Sequence, residues 1–279
     1  MVSASVFAEH AFRYEAPGDL LQPSFFAHGV EKQVVDIVRY AVDEGRAASS
    51  ERYTVADIGM NTGYFSLLAA ARGARVLAFE PQPTCVALMR AALEKPENAA
   101  LRPLVTVTNV AVGPRSTLNV PSTWCSGGYQ GLSHDAPITH NVLVLPLRSL
   151  LNSRQRIRLV KIDTEGAEIP VLDDLTYLVR RRLVDHIVVE VLPRNWEGRG
   201  TTFEHGTAVL EAIAKEAAHV FLLEDAGYQF PVNKAVLPAG ASISGTVLSD
   251  FKMADLVANR KQTGGGCNIW FIFPVAAVS

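Results

Sequence analysis

Cysteine is scarce in this 279-residue chain. Cys85, Cys125 and Cys267 are the only three, and they have no metal-ligand spacing. An odd, sparse count suits a reducing compartment, so each is expected as a free thiol. An excess of charge of one sign is also lacking: 26 Lys and Arg face 28 Asp and Glu, a net charge of -2. That balance argues against a broad basic face for nucleic acid. Arg180, Arg181 and Arg182 form the one dense basic run and fall at the end of an expected helix, where cations offset the helix dipole. No apolar run approaches the roughly 20 residues that span a bilayer. The opening MVSASVFAEHAF has neither the basic n-region nor the long apolar h-region of a signal peptide. The expectation is a soluble, cytoplasmic protein with no nucleic-acid or membrane partner.

What is present is core-forming material: 48% of residues are apolar and 19% charged. Residues 1–28 show no firm pattern, and Pro17, Gly18 and Pro23 suit an irregular lead-in. Residues 29–44 place Val30, Val34, Ile37, Val38 and Ala41 on one helical face. The chain then alternates. Strands are expected at 53–58, 75–80, 104–110, 157–162, 185–191 and 267–273. Helices are expected at 63–72, 82–94 and 168–181, with 205–226 helical and broken near His219. Strands alternating with helices predict βαβ crossovers and a mainly parallel sheet. The expected organisation is a lead-in and helix over residues 1–50, which can serve as a lid, and one domain over 51–279. Turn-rich stretches at 121–141 and 231–247 are long enough to be cleft-covering loops.

The stretch ADIGMNTGYFS, residues 56–66, carries a tight glycine turn between a strand and a helix. A phosphate-cradling loop needs Gly-Lys-Ser/Thr, and here Gly63 is followed by Tyr64. A dinucleotide fingerprint needs glycine at 61 and 64, which are Asn61 and Tyr64. The remaining reading is a nucleoside without phosphate, S-adenosylmethionine. Gly59 lets backbone approach a ligand, and Gly63 allows close packing where the helix begins. Asn61 tolerates the left-handed conformation such a turn needs. Asp57 can accept a hydrogen bond from an ammonium or, alternatively, cap the helix. Glu80 ends the next strand, where a carboxylate can accept both ribose hydroxyls. That acid suits a nicotinamide dinucleotide equally, and it is also compatible with a surface acid before Pro81.

Four segments occur in order: VADIGMNTGYFSLLAAARGARVLAFEPQP, VTNVAVG, LVKIDTEGAEIPVL and HIVVEV. Together they resemble the FkbM-type class I methyltransferases over residues 54–190, about half of the chain. Met60 is a mild departure, since the family often has a smaller residue there. The resemblance implies an α/β, Rossmann-like, doubly wound sheet of seven mostly parallel strands, with helices on both faces and an antiparallel last strand. It implies methyl transfer from S-adenosylmethionine, usually to oxygen, with S-adenosylhomocysteine as product. By position, Asp57, Gly59, Asn61, Gly63 and Tyr64 line the methionine side. Glu80 and Pro81 meet the ribose, Asn109 and Ala111 flank adenine, and Asp163 lies near the reacting methyl.

Methyl transfer needs alignment first, and a base only where the nucleophile must lose a proton. In KIDTEGAE, residues 161–168, Lys161 and Asp163 point to one side of a strand, and Lys161 is expected to pair with an acid. Asp163, Glu165 and Glu168 crowd one another, which raises carboxyl pKa values and favours a base. The catalytic candidates are Asp163, Glu165 and Glu190, with Glu168 placed in a helical first turn where an acid is stabilising anyway. Asp163, Glu190 and a nearby Asn or His can hold Mg²⁺ through oxygen ligands, but no dedicated ligand set is seen and no metal is expected. Substrate contacts are expected from His28, Trp124, Tyr129, His134 and Trp196. Trp196 is read either as an exposed stacking ring or as a core residue. The acceptor is expected to be a hydroxylated small or medium molecule such as a sugar, polyketide or peptide natural product. Nitrogen or carbon transfer, a nicotinamide oxidoreductase and a non-catalytic nucleoside binder are the alternatives.

Overall fold

The computed structural model describes residues 6–7, 12–13, 32–48, 53–121, 125, 139–151, 155–223, 245–247 and 252–274. They fall into two compact units, Met1–Leu145 and Pro146–Ser279.

The first unit opens with a short antiparallel pair, β1 (Val6–Phe7) and β2 (Phe12–Arg13). Helix α1 (Lys32–Ala48) buries Val34, Val35, Ile37, Val38, Ala41 and Val42. The repeat of three and four residues makes this one continuous apolar stripe. The stripe lies along α2 (Tyr64–Ala71), and an Arg72–Asp43 ion pair joins the two helices at their edge. Strand β3 (Thr54–Ile58) is buried at every position, the pattern of a parallel strand covered on both faces. It pairs in parallel with β4 (Arg75–Phe79), which pairs in parallel with β5 (Val105–Thr108). Helix α2 makes the first crossover and α3 (Pro83–Leu93) the second. Helix α3 starts on Pro83, where a missing N–H costs no hydrogen bond.

Beyond β5 lies a feature without a counterpart in the sequence reading. β6 (Ala111–Val112), β7 (Ser116–Pro121) and β8 (Thr139–Leu145) form a separate three-stranded sheet. β8 is central, parallel to β6 and antiparallel to β7. The turn-rich stretch 121–141 therefore begins and ends in paired strands. Trp124, Tyr129, His134 and His28 lie outside the described residues, as does the 231–244 portion of the second loop.

The second unit begins with the short helix α4 (Leu147–Leu150) and strand β9 (Ile157–Ile162), which is buried throughout. Helix α5 (Glu168–Arg180) crosses to β10 (Val184–Val191), parallel to β9. Helix α6 (Phe203–Glu216) then leads to β11 (His219–Leu223). This corrects the expected helix over 205–226: after Glu216 the chain turns, and in HVFLL the four residues after the exposed His219 are consecutively buried, led by the β-favouring Val220 and Phe221. The chain next forms β12 (Gly245–Val247), α7 (Met253–Thr263) and β13 (Cys267–Ile272). β13 lies between β10 and β11 and runs antiparallel to both. The expected antiparallel last strand is thus present, and β3, β4, β5, β9, β10, β11 and β13 are the seven strands of the expected set. The short β12 pairs outside β11 as an addition.

The core of this unit is built on Trp270, Phe271, Ile187, Val189, Leu172 and Leu175, all buried. Each such leucine contributes roughly 1.5–3 kcal/mol through burial. At the start of β10, Asp185 takes hydrogen bonds from Arg156 (2.8 Å) and Arg158 (2.9 Å), so the buried charges compensate one another. Among the described residues, no helix is long and apolar enough to cross a membrane.

Candidate functional site

The glycine turn of the first unit is built on three left-handed residues: Gly59 (φ 77), Asn61 (φ 54) and Gly63 (φ 90). The N–H groups of Gly59 and Met60 both donate to the carbonyl of Phe79, at 2.9 and 3.1 Å, which ties the turn to the end of β4. Gly63 is required twice over. Its φ is costly for other residues, and an added Cβ would collide with the Met89 sulfur. Asp57 is fully buried and its Oδ2 accepts the Ser66 hydroxyl at 2.6 Å. Helix α2 follows Gly63, which supplies no side-chain cap, and the Ser66 bond ties Asp57 to the first turn of that helix.

Glu80 organises the far side of the turn. Its Oε2 accepts the Asn61 N–H at 3.0 Å and its Oε1 accepts the Gln82 N–H at 2.9 Å. One carboxylate thereby fixes the glycine turn and the start of α3 together. A carboxylate offers about four lone-pair sites and no donor, chemistry that suits a vicinal diol, and the residues present fit a ribose. Asn109 donates through Nδ2 to the carbonyls of Glu80 (2.8 Å) and Pro81 (2.9 Å). Its amide shapes the turn after β4. Ala111 starts β6 half-buried, and Tyr64 is buried edge-on against Phe65.

The cysteines depart from expectation. Cys85, in the first turn of α3, and Cys125 form a disulfide, while Cys267 is free and buried. Distance in sequence concealed the pairing: 40 residues separate the two sulfurs. The inference of a reducing compartment from the cysteine count loses its basis. Asn61 Oδ1 lies 3.1 Å from Cys125 Sγ and 3.8 Å from Cys85 Sγ. Disulfide sulfurs carry no hydrogen, so these are packing contacts. They place the cross-link directly against the glycine turn.

The second unit holds the acids. Lys161 Nζ, on buried β9, pairs with Asp163 Oδ2 at 3.1 Å, as the strand alternation requires. Glu165 and Gly166 follow at φ 53 and 99. Gly166 is packed so tightly on Asn195 that a Cβ would strike the Asn195 side chain. Carboxylate oxygens of Asp163, Glu165 and Glu190 lie within 4.8 Å of one another. Part-exposed acids often cluster without an ion, and we assign no metal to this group. Burial and the neighbouring charges of Asp163 and Glu168 raise the pKa of Glu165 from 4.5 to about 7, against a lowering pull from Arg194 and Arg199. A carboxyl near 7 is poised to accept a proton at neutral pH.

Glu168 is fully buried. Its Oε1 accepts the Leu192 N–H at 2.8 Å and the Trp196 indole N–H at 2.6 Å. Burial raises its pKa, only partly offset by these bonds and by the Gly166 and Glu168 amides. Trp196 is correspondingly a core residue, 0% exposed. This corrects its reading as an exposed stacking ring: Gly206 on α6 leaves room for the indole, and a Cβ there would lie 2.3 Å from the ring. The contributions of Leu192, Asn195, Arg194, Arg199, Ser66 and Gln82 were not legible in the sequence. Gln82 and Leu192 act through backbone groups, Asn195, Arg194 and Arg199 come from a segment with no motif, and Ser66 acts through a hydroxyl whose partner only the fold reveals.

The methyltransferase FkbM domain family model matches residues 57–230, more than half of the chain and spanning both sets of residues. Among solved structures, the chain is similar to the FkbM methyltransferase of Methylobacillus flagellatus KT. That match has 14% identity and a TM-score of 0.43 and covers 63% of this chain and 40% of that one. The chain thus spans two fifths of that protein's length. It is also similar to the N-terminal domain of human METTL16 in complex with SAH (12% identity, 96% and 78% covered, TM-score 0.46). A third is the human methyltransferase 10 domain containing protein (12%, 96% and 92%, 0.45). No match is found among curated protein sequences. The extent of the family match decides the assignment: the chain belongs to the FkbM methyltransferase family.

Proposed function

We propose that the chain is an S-adenosylmethionine-dependent methyltransferase that methylates a hydroxyl of a small or medium-sized molecule, such as a sugar, polyketide or peptide natural product. The observation that carries the oxygen assignment is Glu165, whose pKa near 7 suits a base for a hydroxyl nucleophile. In this reading Glu80 accepts the ribose hydroxyls, and Asp57, Gly59, Asn61, Gly63 and Tyr64 serve the methionine side. Pro81, Asn109 and Ala111 serve the ribose and adenine. The cofactor supplies a methyl group on a positively charged sulfur. The chain's own work is to hold the acceptor, exclude water and take the hydroxyl proton onto Glu165. Asp163, anchored by Lys161, and Glu190 orient the acceptor beside it.

The near-neutral net charge supports a small-molecule acceptor over a nucleic acid. A cytoplasmic location belongs to the same reading and is tested by trapping thiols in intact cells. Blocked Cys85 and Cys125 in freshly lysed cells would argue for an oxidising compartment. The function is tested by calorimetric titration with S-adenosylmethionine, S-adenosylhomocysteine and NAD, followed by a panel of hydroxylated acceptors. Micromolar binding of both adenosyl compounds, lost in Glu80→Ala, is expected. Binding of NAD alone, or methylation of amines but not hydroxyls, would overturn the respective part of the reading.

A further inference from the structure

Two members of the acid cluster, Asp163 and Glu165, stand on a turn that has no regular structure of its own, whereas Glu190 is held in β10 by pairing with Asn268. Asp163 and Glu165 follow β9, and Glu190 is near the end of β10. Something must hold these two places in register, because a misplacement of about 1 Å at a reacting group can cost ~100-fold in rate. Three contacts span the gap. Asn195 Nδ2 donates to the Glu165 carbonyl at 3.3 Å. Gly166 lies against Asn195 without space for a side chain. Glu168 Oε1 receives both the Leu192 N–H and the Trp196 indole N–H. Only the last is fully buried, and only it joins the first turn of α5 to two points of the segment after β10.

We propose that Glu168 is a positioning residue: its buried carboxyl clamps the Asp163–Glu165 turn to the Leu192–Trp196 turn and so sets the geometry in which Glu165 works. Glu168 itself does not exchange a proton with the acceptor. Both observed bonds need only an acceptor oxygen, which a neutral acid or an amide supplies as well as an anion. The inference rests on the proposed role of Glu165, but its first consequence needs no substrate. Glu165 is faced by Asp163, Glu168, Glu190, Arg194 and Arg199, and its high pKa depends first on its burial in this turn and then on the spacing of the acids that raise it and the arginines that lower it.

The test compares Glu168→Gln, Glu168→Leu and Trp196→Phe. Two readouts are used: the Glu165 carboxyl titration by carbon NMR on the free protein, and the kcat/KM–pH profile once an acceptor is found. Glu168→Gln keeps the acceptor oxygen and removes only the Glu168 charge, so it is expected to lower the Glu165 titration less than Glu168→Leu does and to keep turnover within about twofold. Glu168→Leu strands both donors. It is expected to return Glu165 toward the ordinary carboxyl range and to lower kcat by on the order of 100-fold. Affinity for S-adenosylhomocysteine should stay within about threefold. Trp196→Phe removes one bond while preserving bulk. It is expected to fall between the two, and it carries the test if Glu168→Leu does not fold. A Glu165 titration unmoved in both Glu168→Leu and Trp196→Phe overturns the proposal, as does a Gln variant as damaged as the Leu variant. Failure of methyl transfer in the wild type with the NMR result intact would instead count against the proposed function alone.

Discussion

Replacing Glu165 with glutamine separates what that acid does for stability from what it does for chemistry. In the native protein its pKa is raised from 4.5 to about 7. A carboxyl with a raised native pKa binds its proton more tightly folded than unfolded. Its contribution to stability is therefore present below about pH 4.5 and is lost as pH rises through 7. A shift of this size corresponds to at most about 3.4 kcal/mol at 1.36 kcal/mol per unit. Glu165 is part-exposed, so solvent screening reduces the expected effect to roughly 2 kcal/mol. Urea unfolding should show wild-type stability falling by about that amount between pH 4 and pH 8 relative to Glu165→Gln, which has no such proton to lose. The same variant should lose on the order of 100-fold or more in kcat/KM at neutral pH if a base is needed. It should also lose the inflection near pH 7. A stability difference between the two proteins that is equal at pH 4 and pH 8 would refute the assigned environment of Glu165. A variant with full activity and an unchanged pH profile would refute its role as base.

Three further perturbations have sharp expectations. Gly63→Ala forces a side chain into a backbone at φ 90 and against Met89. A loss of about 2 kcal/mol or more in denaturant stability, with weakened S-adenosylhomocysteine binding, is expected; unchanged binding would mean the turn is not part of the cofactor site. Reduction of the Cys85–Cys125 disulfide, which closes a loop of sequence separation 40, should cost up to about 4 kcal/mol by chain entropy. Thermal unfolding with and without reductant reads this, and an identical midpoint with two extra titratable thiols would contradict it. Asp185→Ala removes the buried carboxylate that Arg156 and Arg158 both bond and should destabilise by about 3–5 kcal/mol. A smaller loss, within 1 kcal/mol, would mean that water or another group reaches Arg158.

The elements that the sequence made plain are those whose information is local. VADI reads as a buried parallel strand because apolar residues occupy both faces, and it is one. Asn61 tolerates the left-handed turn that its neighbours impose, and it occupies that conformation. Lys161 and Asp163 stand two apart on a strand, so their pairing follows from alternation alone. His219–Leu223 was misread because a short apolar run has no decisive period, and only pairing with β13 makes it a strand. The β6–β8–β7 sheet likewise depends on strands brought together across the 121–141 stretch.

Order of motifs, residue type and spacing determined by themselves that this chain has a glycine turn between a strand and a helix, an acid at the next strand end and a crowded acidic segment. Family membership follows from those same features. Tertiary structure alone decided which acid is which. Glu165 and Glu168 are both glutamates three residues apart, yet one sits part-exposed among competing charges and the other is sealed beneath an indole. It also decided that Trp196 belongs to the core and that Cys85 meets Cys125 beside Asn61. Burial and long-range pairing depend on what the rest of the chain brings to a position, and a position's own neighbours in sequence do not carry that information.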